Sequence, residues 1–219
     1  SCFYCSRLIS KANTGGGKRY RDGTVICGLC SQEAIFDRNE AVSLFEEARK
    51  RLQRYDINVK TKLADLSLLS RGSENRKKKK SGGFLGLFGK QQESEEAGYT
   101  KLKKKTINGR LTSFQLDVFI LTGLPKHHFL ATAAHEIMHV WQHLFAVPEN
   151  ERALREGSCN YAAYLILQEL RTTTAQYIIQ TYFDNKDPIY GKGFNKVFDL
   201  VNRKGRGEWL RYLQENKAL

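Results

Sequence analysis

No stretch of the chain approaches the roughly 20 consecutive apolar residues that a membrane-spanning helix requires. No signal peptide is visible either, since the sequence opens with Ser1 and Cys2, already inside a cysteine motif. Both absences point away from membrane insertion and secretion. Acidic residues are scarce: 23 Asp and Glu stand against 36 Lys and Arg, for a formal net charge of +13. Such a balance raises the question of an acidic partner, either nucleic acid or an anionic membrane. Its distribution argues against a nucleic-acid reader. Residues 71–105 hold eleven Lys or Arg and four Glu, over half of the excess in one segment, with no aromatic interleaving. No internal repeat is present.

What the chain does have is material for a core, 41% apolar and 11% aromatic over 219 residues, enough for one or two domains. It also has five cysteines, four of them paired as Cys2-x-x-Cys5 and Cys27-x-x-Cys30. Without a signal peptide, such pairs point to metal rather than disulfides, and to a reducing, cytoplasmic setting. Four thiolates complete one tetrahedral zinc site. Between the pairs, GKRYRDGTVIC reads as a hairpin turning at Asp22-Gly23. So small a unit needs its metal to fold, and a closed four-thiolate site serves structure or partner binding. Cys159 reads as a small core residue.

Four regions follow. Residues 1–34 form the zinc module. Residues 35–70 form a helical connector, with Val42, Phe45, Ala48, Leu52 and Tyr55 at three- and four-residue spacing and Asn39 as its cap. Residues 71–100, with RKKKK, SGGFLGLFG and QQESEEAG, are too polar and glycine-rich to bury much surface and read as a flexible insertion. The juxtaposition of RKKKK and GGFLGLFG makes 76–88 a candidate contact for an anionic surface. From 101 to 219 the chain reads as a compact domain: a strand at 114–121, a turn at GLP, helices at 131–145 and about 150–170, and mostly helix beyond.

The first of these helices carries His135-Glu136-Ile137-Met138-His139, the HExxH pattern. One turn separates the two imidazoles, so they face the same way and can hold one zinc ion. Glu136 follows the first ligand directly, where it reaches a water on the metal without filling a coordination position. The bland alternative is a surface helix that happens to carry two histidines. The surrounding Ala131, Ala133, Ala134, Ile137, Val140, Trp141 and Leu144 make the helix a buried one instead, and buried histidines need partners.

A catalytic zinc takes a third protein ligand and keeps one position open. Glu156, at the start of the next apolar helix, is the best candidate; Glu149 and Glu151 lie in the connecting loop. Asn160, one turn on from Glu156, can hydrogen-bond a ligand histidine. His143 has drifted off the metal face, and His127 and His128 precede the helix in capping or loop roles. Strand 114–121 is a candidate edge for an extended substrate. Tyr182 and Tyr190 are candidate oxyanion donors, with Tyr190 favoured because of its flanking glycines.

ILTGLPKHHFLATAAHEIMHVW followed by REGSC, and YGKGF at 190–194, resemble the peptidase domain of the plant LIM-peptidases that limit organ growth and of their bacterial relatives. The spacing of Cys2, Cys5, Cys27 and Cys30 resembles one zinc-binding half of a LIM domain. The resemblance runs over most of the chain, most weakly at about 60–105. It implies an α+β protein: a LIM-like zinc ribbon, then a mainly helical gluzincin-like metallopeptidase domain with a short β-sheet. It implies zinc ligation by His135, His139 and Glu156, Glu136 as base, and limited cleavage of regulatory protein substrates. Plant members are linked to ubiquitin, but no ubiquitin-interacting helix precedes these cysteines and the LIM module is halved. A partnership with ubiquitin or ubiquitinated proteins therefore rests on the resemblance alone. The alternative function is an interaction module for nucleic acid or an anionic membrane, carrying an inactive peptidase domain.

Overall fold

The computed structural model describes residues 1–60, 64–71, 97–107 and 110–216. The hairpin around Asp22-Gly23 is present: β1 (Gly17–Arg19) and β2 (Val25–Cys27) pair antiparallel, Lys18 opposite Ile26. Gly23 takes φ +87°, which side chains resist, and Asp22 Oδ1 accepts from the Thr24 N–H at 2.9 Å to lock the turn. Two short helices, α1 (Lys11–Thr14) and α2 (Gly28–Gln32), complete this module.

The module is not a loose appendage. Its exit strand β3 (Ala34–Ile35) pairs with β7 (Leu124–Pro125), and the Tyr20 hydroxyl donates to the Gly123 carbonyl at 3.1 Å. Arg71 ties it further. The Arg71 guanidinium meets Asp22 Oδ2 at 2.6 Å, donates to the Thr122 carbonyl at 2.8 Å and to the Tyr4 hydroxyl, and lies over the Tyr20 ring.

The connecting helix is shorter than its periodicity suggested. α3 (Arg38–Gln53) is capped by Asp37, whose carboxylate accepts from the Glu40 N–H at 2.9 Å, rather than by Asn39. It stops because Asp56 turns to φ +63°, after which Ile57 and Val59 plug the core. Residues Ala64–Leu69 then form a strand, β4, not helix. β4 lies parallel to β6 (Arg110–Leu121), Leu66 beside Val118. On the other side of β6, β5 (Gly98–Ile107) runs antiparallel, Gly98 opposite Ile120. β6 extends the strand expected at 114–121 and is therefore the middle of the sheet. Its backbone is occupied on both sides, so it is not the edge proposed for substrate. Among the described residues the outer strands are β4 and β5, and β5 is the one whose first residues line a cleft with Glu136.

Of the segment read as a flexible insertion, residues 72–96 lie outside the described residues, as does the 76–88 surface contact. Its two ends belong to the fold: Arg71 is buried, and Gly98–Thr100 begin β5.

α4 (Lys126–Phe145) starts five residues earlier than expected, so His127 and His128 sit in its first turn rather than before it. It is buried nearly all round, as expected of a helix with apolar residues on every face. α5 (Arg152–Leu170) folds back along it, and Trp209 of the last helix is fully buried, donating to Ser158 Oγ at 3.0 Å. α6 (Thr173–Asp184), α7 (Gly191–Lys204) and α8 (Arg206–Glu215) close the domain. The result is mixed α and β. Among the described residues no helix is long and apolar enough to cross a membrane.

Candidate functional site

Three side-chain pairings set α4 against α5 in opposite directions: His135 meets Asn160, His139 meets Glu156, and Gln142 meets the Arg155 carbonyl. The antiparallel crossing brings both imidazole Nε2 atoms to 3.4 Å from Glu156 Oε2. Zinc bonds to nitrogen and carboxylate oxygen of about 2.0–2.1 Å at tetrahedral angles put those atoms about 3.4 Å apart. The three groups named from the sequence therefore face one point.

The other ring nitrogens are spoken for. Nδ1 of His135 lies 3.0 Å from Asn160 Oδ1, and Nδ1 of His139 lies 3.1 Å from Gln142 Oε1. Each amide oxygen accepts only if Nδ1 carries the proton, which leaves Nε2 as the lone pair facing Glu156. Asn160 thus takes the role expected of it, while Gln142 is an anchor the sequence reading passed over. Cys159 is more than core filling. His135, His139 and Cys159 also lie close enough for metal ligation, with Cys159 Sγ 3.3 Å from His139 Nδ1. That nitrogen points away from Glu156, so the sulfur backs the imidazole rather than sharing its open side.

Burial drives His135 down to about 4, against the pull of Glu156 and Asn160. His139 goes the other way: burial lowers it, but Cys159 and Glu156 outweigh that and hold it well above its ordinary 6.5. Burial pushes the Cys159 thiol up to about 11, although His139 beside it pulls the other way. Glu156 itself lies well below the carboxylate range, since the two imidazoles outweigh its burial. A buried carboxylate held ionised between two imidazole Nε2 atoms is a donor set for a divalent cation, which would displace the proton that Glu156 otherwise holds on His139.

Glu136 lines the same cleft, nearly fully buried. Thr100 Oγ1 donates to Glu136 Oε2 at 2.8 Å, and Gly98 makes room for the other oxygen. A Cβ on Gly98 would sit 3.1 Å from Glu136 Oε1 and 2.9 Å from Thr132 Cγ2. Strand β5 therefore positions the carboxylate. Neither Gly98 nor Thr100 could be found from local sequence, because the pairing spans 36 residues of chain. The cleft is completed by Tyr99, His143, Arg155 and Tyr190. Of the two tyrosines considered, Tyr190 lines it, whereas Tyr182 is fully buried in α6. Arg152 donates to the Tyr190 hydroxyl at 3.3 Å, and Asn160 Nδ2 donates to the Tyr190 carbonyl at 3.0 Å.

At the N-terminus, all four sulfurs of Cys2, Cys5, Cys27 and Cys30 lie within 4.8 Å of one another, with no disulfide. Cys5 and Cys27 are 3.7 Å apart, close to the roughly 3.8 Å edge of a zinc–thiolate tetrahedron with bonds of about 2.3 Å. The Cys27 N–H points at Cys2 Sγ at 3.2 Å. A hydrogen bond from Cys30 leads in lowering the Cys2 thiol to about 4, while Cys30 rises correspondingly. The cluster fits a metal held by thiolates.

Residues 90–181 match the family model described as DA1-like (Protein DA1). That segment is DA1-like. It is the family of the resemblance, the plant organ-size family with LIM and peptidase features. The DA1-like segment holds His135, Glu136, His139 and Glu156, and leaves the four N-terminal cysteines and Tyr190 outside it. No curated protein and no solved structure matches the chain.

Proposed function

We propose that the chain is a zinc-dependent endopeptidase of gluzincin type, making limited cleavages in protein substrates. The observation that carries the reading is the convergence of His135 Nε2, His139 Nε2 and Glu156 Oε2, with Glu136 lining the same cleft. In this account His135, His139 and Glu156 hold the catalytic zinc. Cys2, Cys5, Cys27 and Cys30 hold a structural one in a LIM-like ribbon that buttresses the start of α4. Four unpaired thiols poised for metal suit a reducing compartment such as the cytoplasm.

When bound, the zinc supplies Lewis acidity, making water a stronger acid and the scissile carbonyl a better electrophile. The protein's own groups do the rest. Glu136 takes the proton from the attacking water and passes it to the departing amine. Thr100 keeps its carboxylate aimed across the cleft. Tyr190, which lines the cleft and whose hydroxyl accepts from Arg152, is the group we assign to donate to the oxygen that gains negative charge. An extended peptide adds to the edge of β5, whose first residues border Glu136, so the backbone is aligned by main-chain hydrogen bonds.

The test is hydrolysis of a denatured protein such as casein by the zinc-loaded chain and by Glu136→Gln. The variant is expected to keep its zinc and lose activity by about 100-fold or more. Hydrolysis at the unaltered rate, or hydrolysis that survives chelation, would contradict the proposal.

A further inference from the structure

Four arginines of the described residues hold their side chains partly or wholly out of solvent: Arg49, Arg51, Arg71 and Arg155. Three of them are paired. Arg49 meets Glu46 at 2.8 Å, Arg51 meets Glu47 and Glu169, and Arg71 meets Asp22. Arg155 is the exception. Its main-chain carbonyl accepts from Gln142 at 2.9 Å, which fixes the backbone, but among the described residues its guanidinium has no carboxylate partner. A guanidinium withdrawn from water without an anion is unfavourable unless an anion arrives.

Its position says where that anion would come from. Arg155 lines the cleft that holds His135, Glu136, His139 and Glu156. The two cleft carboxylates do not answer it, since Glu156 faces the imidazoles and Glu136 accepts from Thr100. The edge strand leading into the cleft is also basic. Lys101, exposed and without an ion-pair partner among the described residues, follows Thr100, and Lys103, paired with Asp117, lies two residues further on. Because side chains alternate along a strand, Lys101 and Lys103 lie on the face of β5 away from Thr100, and it is the Arg155 guanidinium that lines the cleft itself.

We propose that Arg155 is the specificity residue of this cleft, taking the side-chain carboxylate of an aspartate or glutamate in the bound peptide. The proposal rests on the peptidase reading and deepens it: the substrates are acidic segments of proteins. The planar guanidinium offers two parallel N–H donors to a carboxylate, which discriminates it from the isosteric amide.

The experiment measures binding, separately from turnover. Labelled, C-terminally amidated peptides of neutral residues carry one Glu, Gln or Lys, moved one position at a time. Their affinities for the zinc-loaded full chain bearing Glu136→Gln are read by fluorescence anisotropy. At the best position the Glu peptide is expected to bind about tenfold more tightly than the Gln peptide. Adding Arg155→Gln should erase that ratio, and adding Arg155→Glu should turn the preference toward Lys. Zinc content and circular dichroism establish that each variant is folded. A Glu-over-Gln preference that persists unchanged in the Arg155→Gln background, no preference at any position, or binding only when the peptide C-terminus is free overturns the proposal. Peptide hydrolysis by the unaltered chain is scored apart. Preference without cleavage sinks the peptidase reading, and cleavage without preference sinks the role of Arg155.

Discussion

Gly157 on α5 lies backbone to backbone against Gly193 on α7: a Cβ on Gly157 would fall 2.3 Å from the Gly193 carbonyl carbon. A Cβ on Gly193 would in turn meet the Ala153 carbonyl oxygen at 2.4 Å. The two helices can cross this closely only because both positions lack side chains, and the crossing is what places Tyr190 beside Glu156. Gly193→Ala therefore wedges the helices apart. Overpacking of about 1–3 kcal/mol corresponds to a melting point lower by about 3–10 °C in a protein of this size. Hydrolysis should fall with it. Gly207→Ala, where an added Cβ meets nothing within 4 Å, is the control and should not lower the midpoint by calorimetry.

Asn160 joins the two halves of the site, accepting from His135 Nδ1 and donating to the Tyr190 carbonyl. Asn160→Ala removes both hydrogen bonds from a fully buried place. Loss of such a support typically costs about 10–100-fold in metal affinity. Competition with a chromogenic chelator should show that loss at the catalytic site and leave the four-cysteine site unaffected. Unchanged affinity at the catalytic site would mean that Asn160 merely fills space.

Thr100→Val removes the hydroxyl that holds Glu136 while keeping the shape of the side chain. The carboxylate then samples other rotamers, so kcat should drop by about tenfold with zinc content unchanged and KM little altered. Thr100→Ser should restore most of it. A change in KM alone would place Thr100 in substrate binding instead.

The Arg71 cluster gives a pH signature. Burial raises Asp22, but the Thr24 N–H and the Arg71 guanidinium outweigh it and hold the carboxyl below its ordinary 3.8. The folded state therefore favours the ionised form, and this stability is present above pH about 4 and lost as the pH falls through the lowered value. Asp22→Asn leaves Arg71 buried without its anion, at a cost of about 3 kcal/mol. The gap in melting point between the two proteins should be constant from pH 7 to 5 and narrow below pH about 4. A gap that widens toward acid would contradict the assignment.

The parts of this molecule legible in its sequence are those encoded locally. The HExxH pair, the paired cysteines and the Asp22-Gly23 turn each depend on a few neighbouring residues, and the structure brings their members together as their spacing dictates. Glu156 and Asn160 could be named because they sit one turn apart on one apolar helix. What was missed is long-range. The residues of β4 were read as helix because Leu66, Leu68 and Leu69 fit either period in so short a segment, and only pairing with β6 decides it. β5 was not recognised, its lysine-rich stretch looking like part of the basic segment before it. With β5 went Gly98 and Thr100, and with them the sheet edge that borders Glu136. Arg71 read as the first residue of a loop, although its partners Asp22, Tyr4 and Thr122 make it a structural tie.

The most direct measurement is the anomalous scattering of crystals grown with zinc, recorded on both sides of the zinc absorption edge. The account predicts one peak among the four sulfurs of Cys2, Cys5, Cys27 and Cys30. It predicts a second between the Nε2 atoms of His135 and His139 and the carboxylate of Glu156, with no fourth protein ligand. A peak on the Nδ1 side of His139 against Cys159, or no peak near the two histidines, would contradict it.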